Sequence, residues 1–319
     1  MGKTKVPILM VMLLGLMLAV GQAWGAALSG QNFHIDAAAG IDWDSNVSQQ
    51  PIKPSAAAQV RGQGDMSYYH NVKLWYNLNP AGPWDLEAKY DYYQNFHPRL
   101  SIYDTLMHTF TVKPSYLSGS TMFYLPFSYN FTDVQSDKYS TNFDLSPTVF
   151  HRYSQEIGIE TSLTLARYYA WTPIAIPEYD RSGRQIGPVL GFYYFYKPGG
   201  YIQARVRYDY FAAGGRNNDG SRVHFLVNGV YPLPYHPRFT LNMFVDLGLE
   251  PYEHHYFDGT RTWFPRRHDT IFNFGSILTY SIYKTLTVNV HYYLTRQASN
   301  IPTYDYVRHV VGGQLRFTY

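Results

Sequence analysis

The chain has 319 residues, no cysteine and a formal charge of only +3. Its 32 Tyr, 19 Phe and 6 Trp make up 18% of the residues, while charged residues are 15% and mean hydropathy is −0.29. These values disfavour a disordered chain, which is charged and poor in aromatics, and a bundle of apolar membrane helices. They also disfavour a nucleic-acid binder, which carries a basic excess. Strands whose side chains alternate between lipid and water fit all of these values.

From the N-terminus, Lys3 and Lys5 precede an uncharged apolar run, Val6 to Val20, and small residues follow from Gly21 to Ala27. A basic start, a short apolar core and a small-residue exit read as a secretory signal peptide over 1–25, with 26–319 as one exported domain. Its removal takes away two lysines and no acid, so the formal charge falls from +3 to +1. The absence of cysteine excludes disulfides, thiolate metal sites and a cysteine nucleophile.

Beyond Val20 no second apolar run reaches spanning length; segments of alternating character recur instead. In Tyr201 to Ala212, Ile202, Ala204, Val206, Tyr208 and Tyr210 share one face, and Gln203, Arg205, Arg207 and Asp209 the other. Segments beginning at Trp84, Phe239 and Thr285 repeat the pattern. A period of two over such lengths is a strand with a different solvent on each face. Fourteen candidates follow in order: 33–44, 67–78, 84–95, 105–116, 120–132, 143–152, 155–170, 185–196, 200–212, 221–231, 238–250, 269–282, 285–296 and 306–319. Those near 143–170 and 185–196 are the least regular, which allows a count from twelve to sixteen.

The connections alternate in length. Long ones are expected at 45–66, 96–104, 133–142, 171–184, 213–220, 251–268 and 297–305. Short ones carry turn chemistry, as at Asn79-Pro80-Ala81-Gly82-Pro83, Leu117-Ser118-Gly119 and Lys197-Pro198-Gly199. Short turns on one side and long loops on the other are expected of an outer-membrane barrel. The fold class is therefore all-β, a closed antiparallel transmembrane barrel of about fourteen strands in the outer membrane of a Gram-negative bacterium. Tyr and Trp near strand ends suit interfacial girdles, although 32 tyrosines exceed what girdles need and leave some to line the interior.

The last residues alternate again: Leu315, Phe317 and Tyr319 share a face and end on an aromatic. This strand resembles the assembly signal of bacterial outer-membrane barrels. Gly40-Ile41-Asp42-Trp43-Asp44-Ser45-Asn46-Val47 closes the first strand. Arg267-His268-Asp269, Arg296-Gln297-Ala298-Ser299-Asn300 and Tyr304-Asp305-Tyr306 lie near the end of the chain. These stretches resemble motifs of β-barrel porins and of the barrel domain of surface-lipoprotein assembly modifiers. A tetratricopeptide segment of the kind that precedes the latter barrel is not expected between Ala26 and Phe33.

Inward positions give a lumen lined by Lys73, Lys89, Lys113, Arg205, Arg207, Arg222, Arg308 and Arg316. Against these cations stand Asp85, Glu87, Asp91, Glu156, Glu160, Asp209, Asp246 and Glu250. Equal numbers predict cross-strand ion pairs and no strong preference for either charge sign. His309 falls on the lipid side and is expected near the outer rim. Glu253, His254, His255, Asp258 and His268 are expected in one long loop with no metal-ligand spacing. No nucleophile, base and orienting group share a defined spacing, so neither an enzyme nor a cofactor is expected. The expected function is a channel for small polar solutes, with outer-membrane lipid and the barrel-assembly machinery as partners and no nucleic acid. The alternative is a barrel sheath, or an export or assembly partner, for another secreted protein, a lipoprotein or an electron-transfer component, with a periplasmic or surface protein as its partner.

Overall fold

The structure is a computed structural model and describes residues 32–47, 49, 63–171, 177–259 and 263–319. The proposed signal peptide lies outside the described residues. Sixteen strand segments follow in order: β1 (Phe33–Asp44), β2 (Asp65–Asn77), β3 (Trp84–Phe96), β4 (Thr105–Ser118), β5 (Thr121–Tyr124), β6 (Phe127–Val134), β7 (Asp137–Leu145) and β8 (Thr148–Arg152), then β9 (Ile157–Ala170), β10 (Gly183–Lys197), β11 (Gly200–Ala213), β12 (Gly220–Pro232), β13 (Phe239–Phe257), β14 (Trp263–Tyr283), β15 (Leu286–Ser299) and β16 (Tyr306–Thr318).

All pairings are antiparallel, and β16 pairs with β1 from Asp36 opposite Thr318 to Asp44 opposite Val310, so the sheet closes on itself. Two staves are each built from two segments. β4 pairs with both β5 and β6, and β9 with both β7 and β8. The sixteen segments therefore form fourteen staves, as the alternation predicts. The breaks fall at Pro126 and Pro147, which have no N–H to donate to a ladder. Backbone bonds from Ser146 N to the Pro126 carbonyl (3.0 Å) and from Leu163 N to the Pro147 carbonyl (3.1 Å) carry the wall across them.

Two expected connections differ. Residues 133–142 are not a long loop: β6 and β7 are joined by Gln135 and Ser136 alone, at φ of 55° and 67°. This is the left-handed two-residue geometry of a tight hairpin, built here without the usual glycine or asparagine. Residues 251–268 are not a loop either, because β13 runs 19 residues to Phe257 and β14 runs 21 from Trp263. About 9–11 residues cross a membrane as a strand, so this hairpin projects beyond the wall. The expected turns are present where Gly119 and Gly199 take φ of 59° and 73°. Both described chain ends lie at the short-turn end, which in this architecture faces the periplasm.

Side chains divide by parity. On β11, Ile202, Val206, Tyr208 and Tyr210 are exposed on the outer face, while Gln203 and Asp209 are buried on the inner one. Trp84, Phe110, Leu190, Val227 and Val290 continue the outward apolar band on other staves. His309 lies outside, three residues from the outer end of β16, where its ring nitrogen hydrogen-bonds the Tyr292 hydroxyl at 2.9 Å. Its imidazole therefore has a polar partner on the lipid-facing side.

Candidate functional site

The inner wall is a set of cross-strand polar clusters. Strand alternation sets which side chains turn inward, and antiparallel register sets which of them meet. Glu160 of β9 accepts hydrogen bonds from Arg205 (2.7 Å), Tyr193 (2.9 Å) and Tyr124 (3.3 Å). Gln203 in turn donates to the Tyr193 hydroxyl at 2.6 Å. Arg207 Nε lies 2.6 Å from Asp209 on the same strand. Next along, Arg222 is 3.5 Å from Glu250, and His224 lies between Asp246 (3.2 Å) and Glu250 (3.7 Å).

Across the barrel, Lys113 donates to Glu87 at 2.9 Å, and Lys73 and Lys89 lie 3.7 and 3.9 Å from Asp91. At the closing seam Arg316 pairs with Asp36, and Arg308 donates to Asp44 at 2.8 Å. Two of the sixteen expected lumen residues are placed differently. Glu156 is exposed in the bend between β8 and β9, one residue before β9 begins. Asp85 sits at the β2–β3 turn and accepts from the Asn79 and Leu86 backbone N–H groups and the Asn77 side chain, so it acts as a turn cap.

Several wall residues are not prominent in the sequence. Asp36 and Asp44 are buried partners of the two β16 arginines, and Asp42 lies 2.9 Å from His291. They sit among alanines and in a short motif, while their partners are more than 240 residues away. Inward tyrosines account for part of the aromatic excess. Gly40 and Gly275 make room for two rings: a Cβ at either position would lie 2.4 Å or less from Tyr69 or Phe244. Those rings therefore lie against the wall instead of standing into the lumen.

The motif residues near the two ends of the chain converge at the outer rim. Asn46 donates through its backbone to Asp44 (2.9 Å) and through its amide to the Val307 carbonyl (3.1 Å). Asp269 accepts from Arg267 (2.9 Å) and Gln297 (2.8 Å). The Arg267 guanidinium lies between the rings of Tyr304 and Tyr252, 3.3 and 4.3 Å from their centres. Burial pushes the Tyr304 hydroxyl up to about 12, so it stays neutral and the guanidinium keeps Asp269 as its counter-charge. Arg296 pairs with Asp305, and Asn300 accepts from the His268 N–H at 2.8 Å. These stretches thus gather at the outer rim as two polar sets, one tying β1 to β16 and one tying β14 to β15.

Arg267, Gln297 and Tyr304 wall one side of a cavity of about 540 Å³ at the outer mouth of the lumen, lined also by Tyr168, Arg181, Arg222 and Glu250. The histidine-rich stretch is not a cluster. Alternation along β13 turns His254 inward to Asp219 (3.3 Å), while His255 bonds the Phe264 carbonyl (3.0 Å). No group of metal-ligating side chains forms among the described residues.

A closed antiparallel barrel with an apolar outer band, short turns at the chain ends and an ion-paired inner wall is a transmembrane β-barrel of the bacterial outer-membrane type. No protein-family model matches the chain, and no curated protein is similar to it. Among solved structures it is similar to the outer-membrane channel DcaP of Acinetobacter baumannii, with 10% identity, TM-score 0.48, and 90% of this chain and 96% of that one covered. It is also similar to OccAB3 of A. baumannii, with 7% identity, TM-score 0.48 and coverage of 91% and 99%. The toluene transporter TodX of Pseudomonas putida gives 9% identity, TM-score 0.46 and coverage of 92% and 90%.

Proposed function

We propose that the chain is a channel that passes small polar solutes across the outer membrane through its lumen. The carrying observation is the division of the wall. Apolar side chains cover most of the outside, and most charged side chains of the staves turn inward as paired, hydrogen-bonded clusters; Arg167, Arg184 and Arg296 are outward exceptions toward the outer end. Such a lining lets a polar solute exchange water contacts for wall contacts at little cost. In this reading the barrel does no chemistry and uses no cofactor. Its lasting partner is lipid, and its last strand serves the machinery that inserts it.

The protein refolded into a planar bilayer is expected to give discrete, ohmic conductance steps. A silent membrane, with a stoichiometric periplasmic or surface protein co-purifying in mild detergent, would replace this reading by a sheath or export partner.

A further inference from the structure

We infer that the lumen favours anions, an inference that rests on the channel reading and names the solute class. By formal count the wall has no cationic excess, since Asp36, Asp42, Asp44 and Asp269 add carboxylates to it, but the two signs are not placed alike. Among the described residues, eleven close pairs join a Lys or Arg to a carboxylate, and in all eleven the base is the more exposed partner. For Lys73, Lys89 and Lys113 the contrast is modest, 33–34% against 19–24%; for the lumen arginines it is large. The side chains of Arg205, Arg207, Arg222, Arg308 and Arg316 are 34–42% exposed, and their carboxylate partners 4–10%.

The cause lies in stem length and in second partners. The carboxylates stay close to the sheet, where wall groups add hydrogen bonds: Tyr193 and Tyr124 to Glu160, Tyr252 to Glu250, and the Asn46 N–H to Asp44. Lysine and arginine lay their methylenes along the wall and carry the charged head into water. Among the described residues, Asp42 and Asp246 have no Lys or Arg pair and are each held by a histidine, and the inward Asp144 accepts from the Ser146 hydroxyl. Coulomb energy falls as the inverse of distance, so an ion in the lumen meets the cationic head first and the carboxylate behind it. The bases are also spread around the ring. Lys73 on β2 and Arg205 on β11 stand seven staves apart in the circuit of fourteen, on opposite walls.

The test uses the full-length barrel in planar bilayers between unequal KCl solutions. Chloride is expected to permeate at least about 3-fold better than potassium near 0.1 M. The ratio should fall toward one at 1 M, where the screening length shrinks from about 10 to about 3 Å. An open channel with a ratio of one or less at 0.1 M overturns the inference. A silent bilayer overturns the channel reading instead, and the sign of the wall is then read by labelling.

The natural chain has no cysteine. Leu226→Cys stands opposite Arg205 and Thr111→Cys opposite Lys89. A sulfonate-bearing methanethiosulfonate should modify both at least about 5-fold faster than its trimethylammonium counterpart, relative to a free thiol in the same 0.1 M salt. Equal or reversed rates overturn the cationic lumen whether or not the barrel conducts.

Discussion

Asp269→Ala is expected to cost about 3–5 kcal/mol of barrel stability, the range for removing one partner of a buried ion pair. Asp269 is fully buried and the Arg267 side chain is only 7% exposed, so the guanidinium would keep its charge with no counter-ion and little water. The aromatic rings of Tyr252 and Tyr304 on either side of it cannot replace a carboxylate. Gln297 would also lose its acceptor, which loosens β15 from β14 at the outer rim. Urea titration in lipid vesicles, read as the fraction of heat-modifiable folded barrel on a gel, gives the change from the shift in midpoint.

Two controls separate this loss from a general effect of charge removal. Arg296→Ala breaks a pair whose members are 35% and 30% exposed, and such a pair is worth about 0–1 kcal/mol. The double change Arg267→Met with Asp269→Leu removes both charges together and should recover much of the single-mutant loss. An Asp269→Ala midpoint equal to that of Arg296→Ala would show that the rim network does not hold the barrel.

Val206→Arg is expected to cost about 2–4 kcal/mol, the measured range for a basic residue on the lipid face near mid-depth. Val206 lies in the middle of β11 and is 43% exposed on the outer face. The same substitution at Thr111 on β4, whose hydroxyl bonds Ser128 at 2.9 Å inside, should cost about 1 kcal/mol, the worth of that hydrogen bond. Equal costs at the two sites would mean that the faces are assigned wrongly.

Much of this division is legible in the sequence, and for a physical reason. A strand between lipid and water must alternate, so Ile202 to Tyr210 reveals both its class and its two faces. The same rule fails where one solvent bathes both faces. In the projecting hairpin of β13 and β14, Glu253-His254-His255 is polar throughout and reads as a loop, although the strand continues. It fails again at Asp137 to Asn142, where a run of mostly polar residues opens β7 after a turn with no glycine. Pro126 and Pro147 blur the neighbouring staves by removing ladder donors.

For the candidate site, alternation gives the face of a charge but not its neighbour. Fourteen of the sixteen expected lumen residues lie on the inner wall. Glu156 falls in a bend and Asp85 in a turn cap, because strand ends are where periodicity has too few residues to be read. The partners of Arg308 and Arg316 are set by closure of β16 on β1, a contact between the first and last strands. Equal counts of charge also concealed their unequal depth, which depends on stem length and on which hydroxyls and amides reach the carboxylates.

The central claim, that parity sends side chains to lipid or to a watered lumen, is tested most directly by single cysteines along β4. With no native thiol to remove, cysteine is placed in turn at positions 107 to 113 and exposed in vesicles to a small membrane-impermeant thiol reagent. Positions 107, 109, 111 and 113 should react, while 108, 110 and 112, which share the outer face with exposed Phe110 and Val112, should not. Uniform reactivity along the strand, or the opposite alternation, would contradict it.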